Sequence, residues 1–157
     1  MKRAVITRAS IPGLALVLAA SVGLPACGSS TGPSGLQRRL VQSGSFTLLL
    51  GVPAANAAGY SNDVAFVPFS TNASGDLEAI VDWSFSSDDL DLSLFRGACT
   101  LQQAVNNQCQ LVANTSSTLA KPERLAVGGL PAGNYTLGIS NLGDNTESGS
   151  YQIFLTN

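Results

Sequence analysis

The sequence predicts an all-β domain, an antiparallel β-sandwich or jelly roll of about eight strands over residues 38–157. Short runs of alternating apolar and polar residues recur along this part, and Gly, Pro, Asn, Asp and Ser separate them. No segment in this part of the chain has apolar residues spaced at the period of an α-helix. A single sheet of eight strands would leave one apolar face uncovered, so we expect two sheets packed face to face.

The clearest strand is predicted at residues 77–85, where apolar residues occupy every second position. Successive side chains of a strand point to opposite faces of its sheet. The set expected to point into the core is Leu77, Ala79, Val81, Trp83 and Phe85, and the set expected to point outward is Glu78, Ile80, Asp82 and Ser84.

Residues 90–94 repeat this pattern, with Leu90, Leu92 and Leu94 expected inward. The residues expected on the solvated face are Asp89, Asp91 and Ser93. A short Ser-Ser-Asp turn at residues 86–88 separates this strand from the preceding one. The sequence therefore predicts that the two strands pair as a hairpin.

Six further strands are predicted at residues 46–50, 64–69, 110–114, 124–127, 134–140 and 150–156. In the last two, Tyr135 and Tyr151 belong to the inward set, with their hydroxyl groups reaching the rim of the core. The other inward residues of these two strands are Leu137, Ile139, Ile153 and Leu155. Pro68 cannot donate a backbone hydrogen bond, so its run is expected to be an edge strand or to contain a bulge.

The first 26 residues have the composition of a signal peptide. Lys2, Arg3 and Arg8 precede an apolar run without charge at residues 11–24. These 14 residues are fewer than the about 18 that a membrane-spanning helix needs. Residues 1–26 are therefore expected to be a signal sequence that is removed.

The sequence LPACG at residues 24–28 follows this run directly and resembles the lipobox of bacterial lipoprotein precursors. The resemblance implies that Cys27 becomes the lipidated N-terminus, and several acyl chains at about 0.8 kcal/mol per buried CH₂ make a lasting membrane anchor. Gly28 after the cysteine implies the outer membrane. The alternatives are a secretory signal cut near Ala26, which gives a secreted or periplasmic protein, and an ordinary cysteine. Residues 27–37, which contain GSSTGPSG, are expected to form a flexible tether.

Cys99 and Cys109 are predicted to form a disulfide. They are the only other cysteines, and disulfides persist in exported proteins. A metal site made of two thiols without any histidine is the less favoured alternative. The polar residues 101–108 between them are expected to have little structure of their own.

Several short segments resemble, in order, the bacterial pre-peptidase C-terminal domain: DDLDLSLF at residues 88–95, ERL at 123–125, LPAGNYTL at 130–137 and SGSYQI at 148–153. The resemblance covers roughly residues 63–157. It implies a small jelly-roll sandwich that accompanies secreted hydrolases, in some cases with bound calcium and in others helping a partner domain to meet polymeric substrate. No hydrolase precedes the domain in this sequence.

Charge and composition exclude several functions. Loss of the first 26 residues removes three basic residues, so the formal net charge changes from −2 to −5, without a basic stripe that could contact nucleic acid. The chain has no histidine and therefore lacks the commonest general base and zinc ligand. Paired-carboxylate chemistry is left to Asp82, Asp89 or Asp91, all expected on solvated faces. We therefore expect no catalytic residues, no enzymatic activity and no cofactor.

Calcium is the one metal for which the sequence offers candidate ligands. Asp88, Asp89 and Asp91 supply carboxylates at a predicted strand entrance, and Asp82 is expected across the hairpin. The alternative is a solvated acidic turn that keeps a sheet edge from pairing with other chains, and the sequence contains no complete EF-hand pattern. Exposed aromatic residues, which sugar-binding sandwiches use, are few: the candidates are Tyr60, Phe95 and Phe154.

Three functional hypotheses remain open. The first is a lipid-anchored cell-envelope interaction or structural module without catalytic activity, bound to the membrane through its anchor and to an envelope protein or polysaccharide. The second is a carbohydrate- or polymer-binding module. The third is a calcium-binding accessory domain of a secreted peptidase system.

Overall fold

The computed structural model describes residues 35–49, 63–115 and 120–157. Eight strands and one short helix make up this part of the chain. They are β1 (Arg38–Leu48), β2 (Val64–Thr71), β3 (Gly75–Trp83), β4 (Leu90–Arg96), α1 (Leu101–Val105), β5 (Gln110–Asn114), β6 (Glu123–Leu130), β7 (Gly133–Asn141) and β8 (Glu147–Thr156).

The strands form two antiparallel four-stranded sheets, with the orders β1-β8-β3-β6 and β2-β7-β4-β5. Consecutive strands mostly lie in opposite sheets, so the chain crosses repeatedly from one sheet to the other, as in a jelly roll. The predicted all-β sandwich of eight strands is confirmed. The motifs that resemble the pre-peptidase C-terminal domain fall mainly on β4, β6, β7 and β8.

The core lies between the two sheets and consists of the alternating side chains that the sequence pattern selects. Leu77, Ala79, Val81 and Trp83 of β3 are all buried. Leu90, Leu92 and Leu94 of β4 are completely buried and face them from the other sheet, together with the predicted inward residues of β7, whereas those of β8 lie beside β3 in its own sheet. Period-two alternation was therefore sufficient to identify most of the core.

The predicted hairpin between residues 77–85 and 90–94 is wrong. β3 pairs with β6 and β8, whereas β4 pairs with β5 and β7 in the other sheet. Each strand has one fully apolar face, and placing them on opposite sides of the core buries both faces. Alternation specifies which face of a strand is buried but not which sheet the strand joins. Asp82 consequently does not lie across a hairpin from Asp89 and Asp91.

Two aromatic residues lie in environments opposite to those expected. Phe85, predicted inward, is 49% exposed because β3 ends at Trp83. Phe95, predicted at the surface, is 2% exposed and packs with Cys99, Ala104 and Phe66 in a second small core. The outer face of β4 is therefore covered.

The predicted disulfide between Cys99 and Cys109 is present, and it closes a loop that begins directly after β4. The residues between the two cysteines are not unstructured, as the sequence suggested. They contain helix α1, whose N-terminus is capped by the side chain of Thr100, while the side chain of Gln103 accepts a hydrogen bond from the backbone N–H of Thr100. This reciprocal capping box satisfies donors that a short helix otherwise leaves free. Ala104 of the helix packs on Phe95 and explains the burial of the outer face of β4.

For the edge strands, the prediction about Pro68 is confirmed, whereas the predicted start of β1 is too late. Pro68 lies in β2, an edge strand, as its missing N–H requires. β1 is also an edge strand, but it begins at Arg38, well before the predicted residue 46. Its first half is exposed and pairs with β8 through backbone hydrogen bonds, so it carries little apolar pattern.

Several predictions concern residues outside the described part of the chain. They include the signal sequence at residues 1–26, the lipidated Cys27, most of the tether at residues 27–37, and Tyr60. Within the described residues, no helix combines the length and apolarity needed to cross a membrane.

Candidate functional site

The two ends of the sandwich differ in character. The chain enters the domain at the end where Gln37 and Asn157 exchange backbone hydrogen bonds, which we call the tether end. The opposite end contains residues 84–89, 120–122 and 142–146, Leu49 directly after β1, and the starts of β2, β4, β6 and β8. We call it the acidic end.

Eight of the ten acidic residues lie at the acidic end. They are Asp63, Asp82, Asp88, Asp89, Asp91, Glu123, Asp144 and Glu147. These eight acids and Lys121 of the 120–122 loop together carry a formal charge of −7. Arg124, the second residue of β6, lies near the same end and pairs with Glu78, whereas Arg38, Arg39 and Arg96 lie towards the tether end. The domain is therefore strongly polarised along its strands.

Asp88, for which the sequence left open a calcium ligand or a solvated acidic turn, is buried, at 2% exposure. Its carboxylate accepts hydrogen bonds from the backbone N–H and the side-chain amide of Asn145, at 3.0 and 2.7 Å. Gly143 passes so close that any larger residue there would collide with the Asp88 carboxyl group. Asp88 thus fastens the β7–β8 loop onto the start of β4.

Glu147 is completely buried and has a similar role. Its two carboxylate oxygens accept hydrogen bonds from the backbone N–H groups of Ser84 and Phe85, both at 2.9 Å. These bonds hold the chain where it leaves β3 and turns toward the other sheet. A buried carboxylate with two backbone donors is a strong structural element because its charge is compensated by hydrogen bonds.

Asp89 lies beside this framework in an unfavourable environment. Burial, and secondarily the negative charge of Glu123, raises the pKa of Asp89 above its ordinary value. One of its carboxylate oxygens is buried without a hydrogen-bond partner among the described residues. Burial also raises the pKa of Asp63. The acidic end therefore contains carboxylates in environments that disfavour their charged form.

The structure does not bring the proposed calcium ligands together. In the described part of the chain, no three acidic or cysteine side chains are grouped so that they could hold a metal ion. Asp82 lies at the end of β3 and is exposed, Asp88 is engaged with Asn145, and Asp89 and Asp91 flank Leu90. The calcium hypothesis stays a prediction, without a prepared set of ligands in this part of the chain.

A shallow cleft of about 240 Å³ opens at the acidic end between β3 and β8. It is lined by Asp82, Trp83, Ser84, Ser148, Gly149 and Ser150. The ammonium group of Lys121 lies 3.5 Å from the Asp82 carboxylate and 5.6 Å from the centre of the Trp83 ring. Trp83 is 4% exposed, so its ring is not a stacking platform for a sugar. Its indole N–H is buried without a hydrogen-bond partner among the described residues.

A second cleft, of about 350 Å³, lies toward the tether end against β2 and β7. Its polar lining groups bond to one another or to the backbone. Ser70 donates to the Asn134 side chain, the Tyr135 hydroxyl donates to the Pro131 carbonyl, and Thr136 donates to the Gly97 carbonyl. This cleft therefore offers few free polar groups for orienting a ligand.

The candidate surface aromatics at the tether end are also occupied. Phe154 is partly buried, and the Arg38 guanidinium group lies 3.3 Å from its ring centre. Arg38 and Arg124 both pair with Glu78 at 2.7 Å, and these two arginines lower the pKa of Glu78, mainly through the hydrogen bond from Arg38. We therefore take the acidic end as the candidate functional site.

The sequence predicted four acidic residues of this end as site residues, Asp82, Asp88, Asp89 and Asp91, but not Glu147 or Glu123. Glu147 stands alone in a Gly- and Ser-rich segment, and Glu123 follows a proline. No local pattern marks Glu147, because the backbone N–H groups that donate to its carboxylate belong to Ser84 and Phe85, 63 and 62 residues earlier in the chain. The uneven distribution of acidic residues along the chain, combined with the strand directions, could have indicated that they gather at one end.

Comparisons with known proteins leave the family open. No family model matches the chain, and no curated protein matches it. Among solved structures, the Yersinia pseudotuberculosis-derived mitogen is 13% identical with a TM-score of 0.47, covering 73% of this chain and 86% of that one. Aeromonas hydrophila PliG, a periplasmic inhibitor of g-type lysozyme, is 13% identical with a TM-score of 0.42, covering 81% and 92%. A carbohydrate-binding module of Cellvibrio mixtus lichenase 5A, in complex with cellotriose, is 12% identical with a TM-score of 0.35, covering 78% and 88%. At these sequence identities and TM-scores, the functions of these three proteins are not assigned to this chain.

Proposed function

We propose that this protein is a lipid-anchored, non-catalytic binding module of the bacterial cell envelope, and that its acidic end is the binding face. The anchor is the Cys27 of the lipobox-like sequence at residues 24–28, and Gly28 favours the outer membrane. The disulfide between Cys99 and Cys109 agrees with an exported protein, since such bonds persist in oxidising compartments.

The observation that carries this proposal is the separation of the two ends. The chain enters at Gln37, next to Asn157, while the loops, the net negative charge and the cleft lie at the other end of the strands. Seven residues, 28–34, separate Cys27 from Gly35, and all of them are Gly, Ser, Thr or Pro. A short anchor of this kind attaches at the tether end and leaves the acidic end free for a partner. Binding residues are commonly carried by loops on a rigid sheet scaffold.

The anchor is tested by metabolic labelling with radioactive palmitate. The wild-type protein should carry label and partition into detergent, whereas Cys27→Ser should do neither. Unlabelled, water-soluble wild-type protein would disprove the anchor.

The binding face is tested by placing a photo-crosslinking amino acid at Ser86, an exposed residue of the acidic end, and at Ala132, an exposed residue of the tether end. In native cells, crosslinks to a partner should form from position 86 and be at background level from position 132. Crosslinks from position 132 alone would show that the wrong end was chosen. Retention of the protein on a polysaccharide column, together with absence of protein crosslinks, would favour the carbohydrate-binding alternative.

A further inference from the structure

Three exposed apolar side chains accompany the negative charge of the acidic end. Leu49, Phe85 and Leu142 are 67%, 49% and 44% exposed. An isolated exposed apolar residue is common on protein surfaces, but several together within a polar surround are typical of a contact surface.

All three apolar residues stand on backbone that is held in place. The Asn141 side chain donates a hydrogen bond to the Leu49 carbonyl at 3.1 Å. The backbone N–H of Leu142 donates to the Asp89 carbonyl at 2.9 Å, and that of Phe85 donates to Glu147. Because the backbone at these positions is already hydrogen-bonded, a partner that contacts them need not order it.

The charge around these residues restricts the class of partner. The formal charge of −7 repels anionic lipid and nucleic acid, and a second copy of this chain docked through the same face would place acid against acid. Asp144 is exposed, and Asp63, Asp89 and Asp91 are partly exposed, so their negative potential reaches solvent. A surface that carries basic residues around an apolar centre complements this end in both charge and polarity.

We infer that the acidic end docks a cationic protein, which places basic side chains on its carboxylates and an apolar contact on Leu49, Phe85 and Leu142. This inference rests on the proposed function, whose partner class it names. The buried carboxylates Asp88 and Glu147 shape the surface, and the exposed Asp82 and Asp144 meet the partner. Lys121 holds Asp82 in place at 3.5 Å until the partner's cation competes for the same carboxylate.

The charge requirement is tested with a defined cationic protein. The full lipidated chain is placed in nanodiscs of uncharged phosphatidylcholine, and binding of cytochrome c is compared with that of cytochrome c whose lysines are acetylated, with empty nanodiscs as blank. Cytochrome c should bind at low salt and dissociate as salt is added, and the acetylated form, which has lost its lysine charges, should not bind.

Two variants with the same change in net charge locate the effect. Asp82→Asn with Asp144→Asn should weaken cytochrome c binding about fivefold, because two exposed carboxylate charges that attract its lysines are removed. Ala126→Lys with Ala132→Lys adds the same two units of charge to exposed residues away from the acidic end and should change binding less than twofold. Equal effects of the two pairs, or binding that salt does not alter, would overturn the inference.

The native partner is then probed with the crosslinker at position 86. Phe85→Ser with Leu142→Ser, and Asp82→Asn with Asp144→Asn, should each reduce the crosslink severalfold. Leu36→Ser with Leu40→Ser removes two exposed apolar residues at the tether end and serves as the matched control. Undiminished crosslinks in the acidic-end variants would reject a cationic partner while leaving the proposed function standing. Absence of crosslinks in the wild type would reject the proposed function itself.

Discussion

Two acidic residues at the acidic end stabilise the fold through buried, hydrogen-bonded carboxylates, a role that the residue type alone does not indicate. Asp88 and Glu147 are charged side chains, yet they are 2% and 0% exposed and accept hydrogen bonds from loop residues distant in sequence. Buried charges of this kind persist only where donors surround them. They therefore act as fixed points on which two loops are built.

Glu147→Gln should lower the free energy of unfolding by about 2 kcal/mol, because one of the two backbone N–H donors would face an amide NH₂ group and lose its charged acceptor. Urea denaturation of the purified protein measures this loss. Ser148→Ala, at the exposed neighbouring residue, is the control and should have an effect within about 0.5 kcal/mol. Comparable losses in both variants would refute the role assigned to the carboxylate.

Asp89 gives a pH dependence with a definite sign. Its pKa in the folded protein is raised, mainly by burial, above its value in the unfolded chain. The folded state therefore holds the proton more tightly, and stability falls as pH rises from the unfolded pKa through the folded pKa. Asp89→Asn removes this penalty and should be more stable than the wild type at pH 7, with the difference vanishing as pH falls below both values. Urea midpoints across this pH range test it, and a constant or reversed difference would contradict it.

Addition of calcium tests whether the three aspartates at the start of β4 bind this ion. Because Asp88 already accepts hydrogen bonds from Asn145 and the described acids form no group suited to a metal, we expect the same melting temperature in chelator and in millimolar calcium. A bound ion at about a hundred times its Kd would instead add about 2.7 kcal/mol and shift the melting temperature by several degrees. Such a shift, abolished by Asp89→Asn with Asp91→Asn, would support the calcium-binding accessory domain.

At the scale of elements, helix α1 and its disulfide form a cover over the outer face of β4. Phe95, Cys99 and Ala104 make a small core that is separate from the main one. The sequence contained the capping pair of Thr100 and Gln103, but a helix of five residues has too few turns to produce an apolar period.

Cys99→Ala with Cys109→Ala should lower the free energy of unfolding by about 3 kcal/mol, the chain-entropy value for a loop in which the cysteines are ten residues apart. The two sheets should remain, because their strands pair independently of this loop. Thermal unfolding followed by circular dichroism measures both effects. Intact-mass analysis of periplasmic protein that showed two free thiols would remove the premise.

At the scale of the whole molecule, the domain is polarised, with a formal charge of −7 at one end and a positive excess elsewhere. Like charges held together oppose folding through mutual repulsion, and a partner of opposite charge relieves it. The proposed binding face would therefore reduce the stability of the domain.

Asp144→Asn should raise the free energy of unfolding by about 0.5 kcal/mol at low ionic strength, because it removes one exposed charge from the crowded end. Ala132→Lys makes the same change in net charge at the tether end and should give no such gain. In 1 M salt the difference between the two should disappear, since the screening length falls to about 3 Å. A gain in both variants would show that net charge, rather than its location, matters.

The fold class, most strand positions and the buried faces could be predicted from the sequence alone, because side-chain alternation is a local consequence of strand geometry. It also identified the cysteine pair, as few cysteines were available, and Pro68 as an edge residue. Which strands share a sheet was decided only by the tertiary structure, and β3 and β4 were wrongly paired for that reason. The same holds for the burial of Asp88 and Phe95 and for the gathering of eight acids at one end. These properties depend on contacts between residues far apart in the chain, and they arise from burying two apolar sheet faces against each other, which no local pattern encodes.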